Sequence, residues 1–265
     1  MKRVKSLFKS MVSLLLGGFL ITSCQSEEFG GLADAKGDGA LSLDLSIPAG
    51  FETDTKAVNE AEYRNTANYI IEIKDGQGNT VKNGKYSELG FPITLPLGEY
   101  KVRASYGTES NASRSTFYVT GQSSVSVNGE STGSTATINC KPTCGKFIVN
   151  FDATMATYFS DYFVTYTTEA LGSSSVAWVK ADTEPWYLKL NENGETVKAV
   201  ISVTRKSDGK STTVEKELAM TPNQAWTLNV SATYTEQQGS LGLTIVIDDG
   251  VTTQEIPVEI PSEWT

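Results

Sequence analysis

The chain has 265 residues, enough for one large or two smaller β domains, and a formal net charge of −9. An acidic surface repels phosphate backbones, so we expect no nucleic-acid partner. Histidine is absent, which excludes catalytic triads that use histidine and every zinc site with a histidine ligand. No other catalytic constellation can be named from the sequence. We therefore expect a non-enzymatic protein without a metal ion or another cofactor.

The N-terminus has the three parts of a bacterial lipoprotein signal peptide, which we place at residues 1–23. Four basic residues precede an apolar stretch from Met11 to Ile21, and Leu20-Ile21-Thr22-Ser23-Cys24 closes the stretch as a lipobox. The stretch is shorter than the roughly 20 apolar residues that a transmembrane helix needs. Cys24 is therefore predicted to be the acylated first residue of the mature protein, whose acyl chains anchor it to a membrane.

Residues 24–38 are rich in Gly, Asp and Glu and lack periodicity, which predicts a flexible tether. The tether begins with Gln25-Ser26-Glu27-Glu28, an acidic cluster that resembles the export signal of Bacteroidetes surface lipoproteins. This resemblance favours the outer face of the outer membrane, while the alternative is a solvated acidic tether. Without residues 1–23 the chain keeps 18 basic and 31 acidic residues, so the mature charge is −13.

Strand signals fill residues 39–145, for which we predict an N-terminal β-sandwich. Residues 40–47 alternate strictly, and the alternation places four apolar side chains on one buried face: Leu41, Leu43, Leu45 and Ile47. The segment Asp75-Gly76-Gln77-Gly78-Asn79 predicts a hairpin turn. Turn signals recur about every ten residues, a spacing that favours a sandwich or a barrel.

Residues 146–265 repeat this pattern and predict a C-terminal β-sandwich. One short helical turn is expected at 153–159, and Asp208-Gly209 predicts a hairpin. Near the C-terminus Pro257 interrupts a strand pattern and cannot donate a ladder hydrogen bond, which predicts an edge strand. Such a strand either closes its own sheet or is donated to another subunit. The predicted fold class is all-β, with two tandem β-sandwich domains that are antiparallel or mixed.

Cys140 and Cys144 are the two cysteines beside the lipobox residue, and their state stays open. An exported compartment permits a disulfide, for which the two Cα atoms must lie about 5.5 Å apart. Residues four apart on an extended strand are roughly 13 Å apart, so a disulfide requires a reversal between them. Two reduced thiols are the alternative. A metal site would need further Cys or His ligands, and the chain has none.

Trp178, Trp186 and Tyr187 form an aromatic group with two competing interpretations. Exposed aromatic rings have a mixed apolar and polar character that suits the binding of glycans. Large aromatic side chains also dominate the energetics of protein cores, and this second interpretation is favoured by the sandwich prediction. For the same reason we expect the alternating Tyr162, Val164 and Tyr166 to lie in the core.

The order of these motifs resembles Bacteroidetes surface lipoproteins. The resemblance rests on the lipobox with its acidic cluster, the strand at 40–47, the turn at 75–79 and the phrase Leu95-Pro96-Leu97-Gly98-Glu99-Tyr100-Lys101-Val102, which is similar to the strand entry of transthyretin-like sandwiches. One such family, defined only as a domain of unknown function, is similar over most of the mature length. Fimbrillin-type pilus subunits are similar in organisation, since they have a lipobox followed by two sandwiches.

The resemblance to fimbrillins implies a protease site after the first strand, where an arginine permits strand exchange. This chain has Lys56 in that region, and Arg64 lies further on. We therefore expect a lipid-anchored cell-surface protein of the outer membrane, in adhesion or pilus-like assembly, with self-assembly or other surface proteins as partners. The alternative is a glycan-binding surface lipoprotein of a polysaccharide uptake system.

Overall fold

The computed structural model describes residues 37–48, 51, 60–129, 133–235, 240–248 and 253–259. These residues belong to one compact unit that spans 36–265. The signal peptide, Cys24 and nearly all of the tether lie outside the described residues, as does Lys56. None of the described helices is long and apolar enough to cross a membrane.

Among its described residues, the first half of the unit has nine strands and one short helix, with 3-10 turns at Thr66–Asn68 and Tyr86–Glu88. The strands and the helix are β1 (Asp38–Ser46), α1 (Glu60–Tyr63), β2 (Ile70–Asp75), β3 (Thr80–Lys85), β4 (Ile93–Pro96), β5 (Gly98–Tyr106), β6 (Ala112–Ser113), β7 (Val119–Val127), β8 (Ser134–Asn139) and β9 (Lys141–Pro142).

The second half also has nine strands and one helix, with a 3-10 turn at Glu169–Leu171. The elements are β10 (Cys144–Phe151), α2 (Ala153–Tyr158), β11 (Phe159–Thr167), β12 (Val176–Val179), β13 (Trp186–Lys189), β14 (Glu195–Arg205), β15 (Ser211–Met220), β16 (Ala225–Thr235), β17 (Ser240–Asp248) and β18 (Thr253–Glu259). The helical turn predicted at 153–159 is confirmed as α2.

The strands form four sheets, which pair into two sandwiches. The first sandwich has a three-stranded sheet, β4-β1-β8, and a five-stranded sheet, β3-β2-β5-β7-β9. The second has a four-stranded sheet, β12-β11-β14-β15, and a six-stranded sheet, β18-β17-β16-β10-β13-β6. The pairs β1–β8 and β10–β16 are parallel, and the others are antiparallel. The predicted fold class, two tandem mixed β-sandwiches, is confirmed, whereas the domain limits at 39–145 and 146–265 stay a prediction.

Each sandwich encloses its own apolar core. In the first core the leucines at 41, 43 and 45 of β1 are buried, as the alternation of this strand predicts. The second core contains the alternating residues of β11, among them Tyr162, Val164 and Tyr166. Complete burial raises the pKa of the Tyr166 hydroxyl above its ordinary range, because the phenolate would lose its hydration.

The two predicted hairpins are confirmed, and each is closed by an aspartate. Asp75 Oδ1 accepts hydrogen bonds from the backbone N–H of Gln77 at 3.0 Å and of Asn79 at 2.8 Å. The Asn79 side-chain amide also donates to Asp75 Oδ2 at 3.1 Å, and this bond, together with the backbone bonds, lowers the pKa of Asp75. Gly78 has φ +89°, a left-handed conformation in which a side chain would be strained. Asp208 closes the second hairpin, between β14 and β15.

The edge position predicted for the C-terminal strand is also confirmed. β18 pairs only with β17 in the six-stranded sheet and leaves its other side unpaired among the described residues. Pro257 lies opposite Thr244 and is exposed. Proline is suited to this place because its nitrogen has no hydrogen to donate to a further strand.

Cys140 and Cys144 are both reduced and both buried, so the disulfide considered as one outcome is not formed. The reversal that it requires is missing, because the intervening β9 runs as a strand whose Lys141 and Pro142 pair with β7. Burial raises the pKa of the Cys140 thiol to about 11. The thiol is therefore protonated and unreactive at neutral pH.

We expect the fold to lose most of its stability when a charge is placed inside β1. In Leu43→Asp an unpaired carboxylate would replace a side chain that is 7% exposed, at a cost of several kcal/mol. That cost is comparable with the total stability of a domain, about 5–15 kcal/mol. Urea unfolding followed by circular dichroism measures the loss of unfolding free energy.

The control is Ser46→Asp on the exposed face of the same strand, whose unfolding free energy should stay within about 0.5 kcal/mol of wild type. Equal stability of the two variants would contradict the assignment of β1.

Candidate functional site at the junction between the two sandwiches

The junction contains a strand that crosses from one sandwich to the other. β6 follows the strands of the first sandwich in sequence, yet it pairs with β13 at the edge of the six-stranded sheet, with Ser113 opposite Tyr187. The N–H of Lys189 extends this pairing with a 3.0 Å hydrogen bond to the carbonyl oxygen of Asn111. The Ser113 hydroxyl accepts hydrogen bonds from the backbone N–H groups of Ser115 and Thr116, and these bonds stabilise a turn directly after β6. The first sandwich thereby extends the second by strand addition.

Arg114 follows β6 directly and holds the crossing in place. Its guanidinium lies 4.2 Å from the ring centroid of Trp186 and 5.1 Å from that of Trp178. The same group forms a 2.6 Å ion pair with Asp182 and donates hydrogen bonds to the carbonyl oxygens of Ala177 and Glu184. Trp186 Nε1 donates to the Ala177 carbonyl oxygen at 2.9 Å. The arginine guanidinium is planar and permanently charged, and it can stack on aromatic faces. The lysine ammonium lacks this planar shape.

These contacts correct the glycan interpretation of the three aromatic residues. Trp178 is 1% exposed and Tyr187 is 2% exposed, so neither offers a surface to a glycan. Trp186 is half-buried, and its ring is occupied by Arg114. Trp178 lies in the second core and Tyr187 in the first, because their strands present them on opposite sides of the junction. The three residues hold the sandwiches to each other.

The aromatic core of the junction is completed by residues from both halves of the chain. The Tyr187 ring lies 5.0 Å from that of Phe117 and 5.6 Å from that of Phe51. Lys146 of β10 is fully buried here, and its ammonium lies 5.8 Å from the centroid of the Phe51 ring. An ammonium over an aromatic face is stabilised by the ring quadrupole. The roles of Lys146, Phe51 and Arg114 were not predicted from the sequence. A local sequence pattern does not indicate which aromatic ring, distant along the chain, will lie against a charged side chain.

An open cleft of about 640 Å³ lies beside the junction, between β5, β7 and β9 on one side and the end of β13 on the other. Lys189 and Glu109 form a 2.5 Å ion pair at its wall, and the remaining lining combines amide and hydroxyl side chains with further charged residues and with apolar residues such as Leu190 and Pro142. Within the described ranges no three His, Cys, Asp or Glu side chains are arranged to hold a metal ion. The cleft therefore offers hydrogen bonds and paired charges to a ligand.

Residues 37–262 match the model of one protein family, described as Domain of unknown function (DUF4493). The chain belongs to this family. The expected resemblance to a family defined only as a domain of unknown function is thereby confirmed over residues 37–262. Comparison with curated proteins found no match.

Several solved structures are similar to this DUF4493 protein at low sequence identity. A candidate adhesin from Bacteroides ovatus has 11% identity and a TM-score of 0.49, over 83% of this chain and 95% of that one. The fimbrial anchor protein Mfa2 from Porphyromonas gingivalis has 12% identity and a TM-score of 0.44, over 84% and 100%. A fimbrial assembly protein from Parabacteroides distasonis has 13% identity and a TM-score of 0.43, over 84% and 98%.

Loss of the Arg114 side chain should lower the stability of the protein, because this side chain connects the two sandwiches. We expect Arg114→Ala to lower the free energy of unfolding by about 1–2 kcal/mol, because two cation–π contacts and a half-buried ion pair disappear. Arg114→Lys should recover only part of the loss, since an ammonium lacks the planar guanidinium group.

The matched control is Arg103→Ala, which removes an exposed ion pair with Glu72 and should cost under about 1 kcal/mol. Chemical denaturation compares all three, and equal losses for Arg103→Ala and Arg114→Ala would contradict the role of the junction.

Proposed function

We propose that this protein is a lipid-anchored, non-enzymatic protein of the outer-membrane surface that takes part in adhesion or pilus-like assembly. Its proposed partners are the membrane, through acylated Cys24, and other copies of the chain or other surface proteins. The N-terminal signal and lipobox support the anchor. The central position of β1 in its sheet is the observation that best supports the proposed assembly.

The distance from the anchor to the fold is set by the tether. β1 begins at Asp38, 14 residues after Cys24. An extended chain advances at most about 3.6 Å per residue, so the tether spans no more than about 50 Å. The first sandwich is thus held close to the membrane, and the mature charge of −13 disfavours contact with anionic lipid headgroups.

The N-terminal strand of the mature fold occupies the middle of a sheet. β1 pairs antiparallel with β4 over four residue pairs and parallel with β8 over six. Removal of β1 would leave both neighbours with unpaired backbone groups and would open the first core along its row of leucines. An extended strand from another molecule can fill such a gap, with backbone hydrogen bonds for affinity and alternate side chains for specificity.

A protease can separate β1 from the rest of the sandwich. Lys56 lies between β1 and α1 in the sequence, outside the described residues, and Arg64 directly after α1 is exposed. Cleavage at either residue would leave β1 bound by noncovalent contacts alone, so that it could exchange for a strand of another subunit. The exposed edge of β18 is a second place where a strand can be added.

The anchor is tested by changing Cys24 to alanine in cells that express the full chain. Wild type should partition into detergent and be trimmed by trypsin added to intact cells, whereas Cys24→Ala should appear in the aqueous phase. Cys140→Ala is the matched control, because Cys140 is a buried thiol in the fold. Unchanged detergent partition of Cys24→Ala would contradict the anchor, and resistance of wild type to external trypsin would contradict the surface location.

The assembly is tested on purified protein by size-exclusion chromatography before and after limited trypsin digestion. We expect species of higher mass after cleavage, and we expect Lys56→Gln combined with Arg64→Gln to prevent them. A cleaved protein that remains monomeric at all concentrations would contradict pilus-like assembly.

A further inference from the structure

One aromatic side chain stands out on the surface. Among the large apolar side chains of the described residues, Tyr234 of β16 is the most exposed, with 47% of its surface accessible. Its ring stacks with that of Tyr158 at the end of α2, with centroids 5.9 Å apart and planes inclined by 23°. Tyr158 is half-buried, and Tyr234 is not part of the second core. Tyr158 packs against the second core, so the exposed aromatic surface of the pair is mainly that of Tyr234.

The pair lies at the end of the second sandwich that is opposite the junction. β16 starts at Ala225, which packs in the first core, and ends just after Tyr234. β14 likewise ends at Arg205, and the N–H of the following Lys206 donates a 2.9 Å hydrogen bond to the carbonyl oxygen of Tyr158. The Lys206 ammonium donates to the carbonyl oxygen of Ala156 in the same helix. The hairpin after β14 is thus fixed against α2.

Polar side chains surround the two rings. A cavity of about 660 Å³ has Tyr158, Tyr234 and Leu241 as its apolar part, and Thr157, Ser207 and Asp208 at its rim. Asp208 is held by Arg205, whose Nε and Nη2 atoms donate hydrogen bonds to the two carboxylate oxygens at 2.9 and 2.5 Å. These bonds lower the pKa of Asp208 to about 2, so its carboxylate is charged at neutral pH and accepts hydrogen bonds.

We propose that the Tyr158–Tyr234 pair, with the rim of this hairpin, is a binding site for a pyranose saccharide. A pyranose has an apolar C–H face, which fits an aromatic ring, and hydroxyl groups at its edge, which fit carboxylate and hydroxyl partners. The apolar part is limited to two rings and one leucine, too small for the apolar centre of a stable protein interface. The net negative charge of the chain disfavours a nucleic acid, whose bases would also stack on the rings.

This site gives a ligand class to the proposed surface function and rests on it, because a surface lipoprotein meets extracellular glycans. The first sandwich is next to the tether, and β10 leads from the first core to the second. The pair at the far end of β16 is therefore well placed to contact a glycan outside the cell. The site differs from the glycan surface that the sequence suggests at Trp178, Trp186 and Tyr187, because the junction buries two of these residues and half-buries the third.

The test uses full-length protein in detergent and a panel of immobilised hexasaccharides of glucose, galactose, mannose and xylose. Wild type should bind at least one member, and Tyr234→Ala should weaken that binding about tenfold or more. Tyr234→Phe keeps the ring and should stay within about threefold of wild type. Val179→Ala is the matched control, because Val179 is an exposed apolar residue on β12 of the same sandwich and should leave binding unchanged.

Two results would overturn the saccharide site: binding of wild type to no member of the panel, or equal binding by wild type and Tyr234→Ala. Thermal melting of each variant verifies its fold, and Tyr234→Ala should melt like wild type because its side chain lies outside the core. Cys24→Ala separates this site from the proposed function. This variant should bind saccharides like wild type in detergent. Absence of binding to every saccharide would therefore refute the site without bearing on the detergent-partition test of the lipid anchor.

Discussion

The structure depends on one extended segment, residues 134–151, which contains β8, β9 and β10 in direct succession. β8 pairs with β1 in the three-stranded sheet, β9 pairs with β7 in the five-stranded sheet, and β10 lies between β13 and β16 in the six-stranded sheet. Three consecutive strands thus take part in three different sheets, and single residues separate them. Backbone hydrogen bonds fix each strand, so no flexible linker remains at the junction of the two sandwiches.

The junction explains why aromatic residues concentrate on both sides of this segment. β6 crosses from the first half of the chain, Arg114 is stacked between two indole rings, and Tyr187 of the second half packs in the first core. Buried aromatic rings, together with a charge that they cover, contribute more contact energy per residue than aliphatic side chains would. Backbone pairing and aromatic packing therefore connect the two sandwiches directly.

Much of this fold could be predicted from the sequence, since a period of two along a strand is a local property. The buried leucines of β1, the aspartate-closed hairpins at 75–79 and 205–210, α2 and the edge position of Pro257 all follow from local chemistry. The surroundings of Trp178, Trp186 and Tyr187 could not be predicted, because alternation separates two faces without showing what covers either face. The same limit applies to Lys146, to the reduced cysteines and to the exposed Tyr234, whose environments are set by strands distant in sequence.

The contacts across the junction make the two sandwiches one thermodynamic unit, and differential scanning calorimetry tests this most directly. We predict a single transition for the intact protein, with a calorimetric enthalpy equal to the van't Hoff enthalpy, because β6 pairs with β13 across the junction and Tyr187 of the second half packs in the first core, so that neither sandwich can unfold without losing these contacts. Two resolved transitions, or a calorimetric enthalpy about twice the van't Hoff value, would show that the sandwiches unfold independently and would contradict this account.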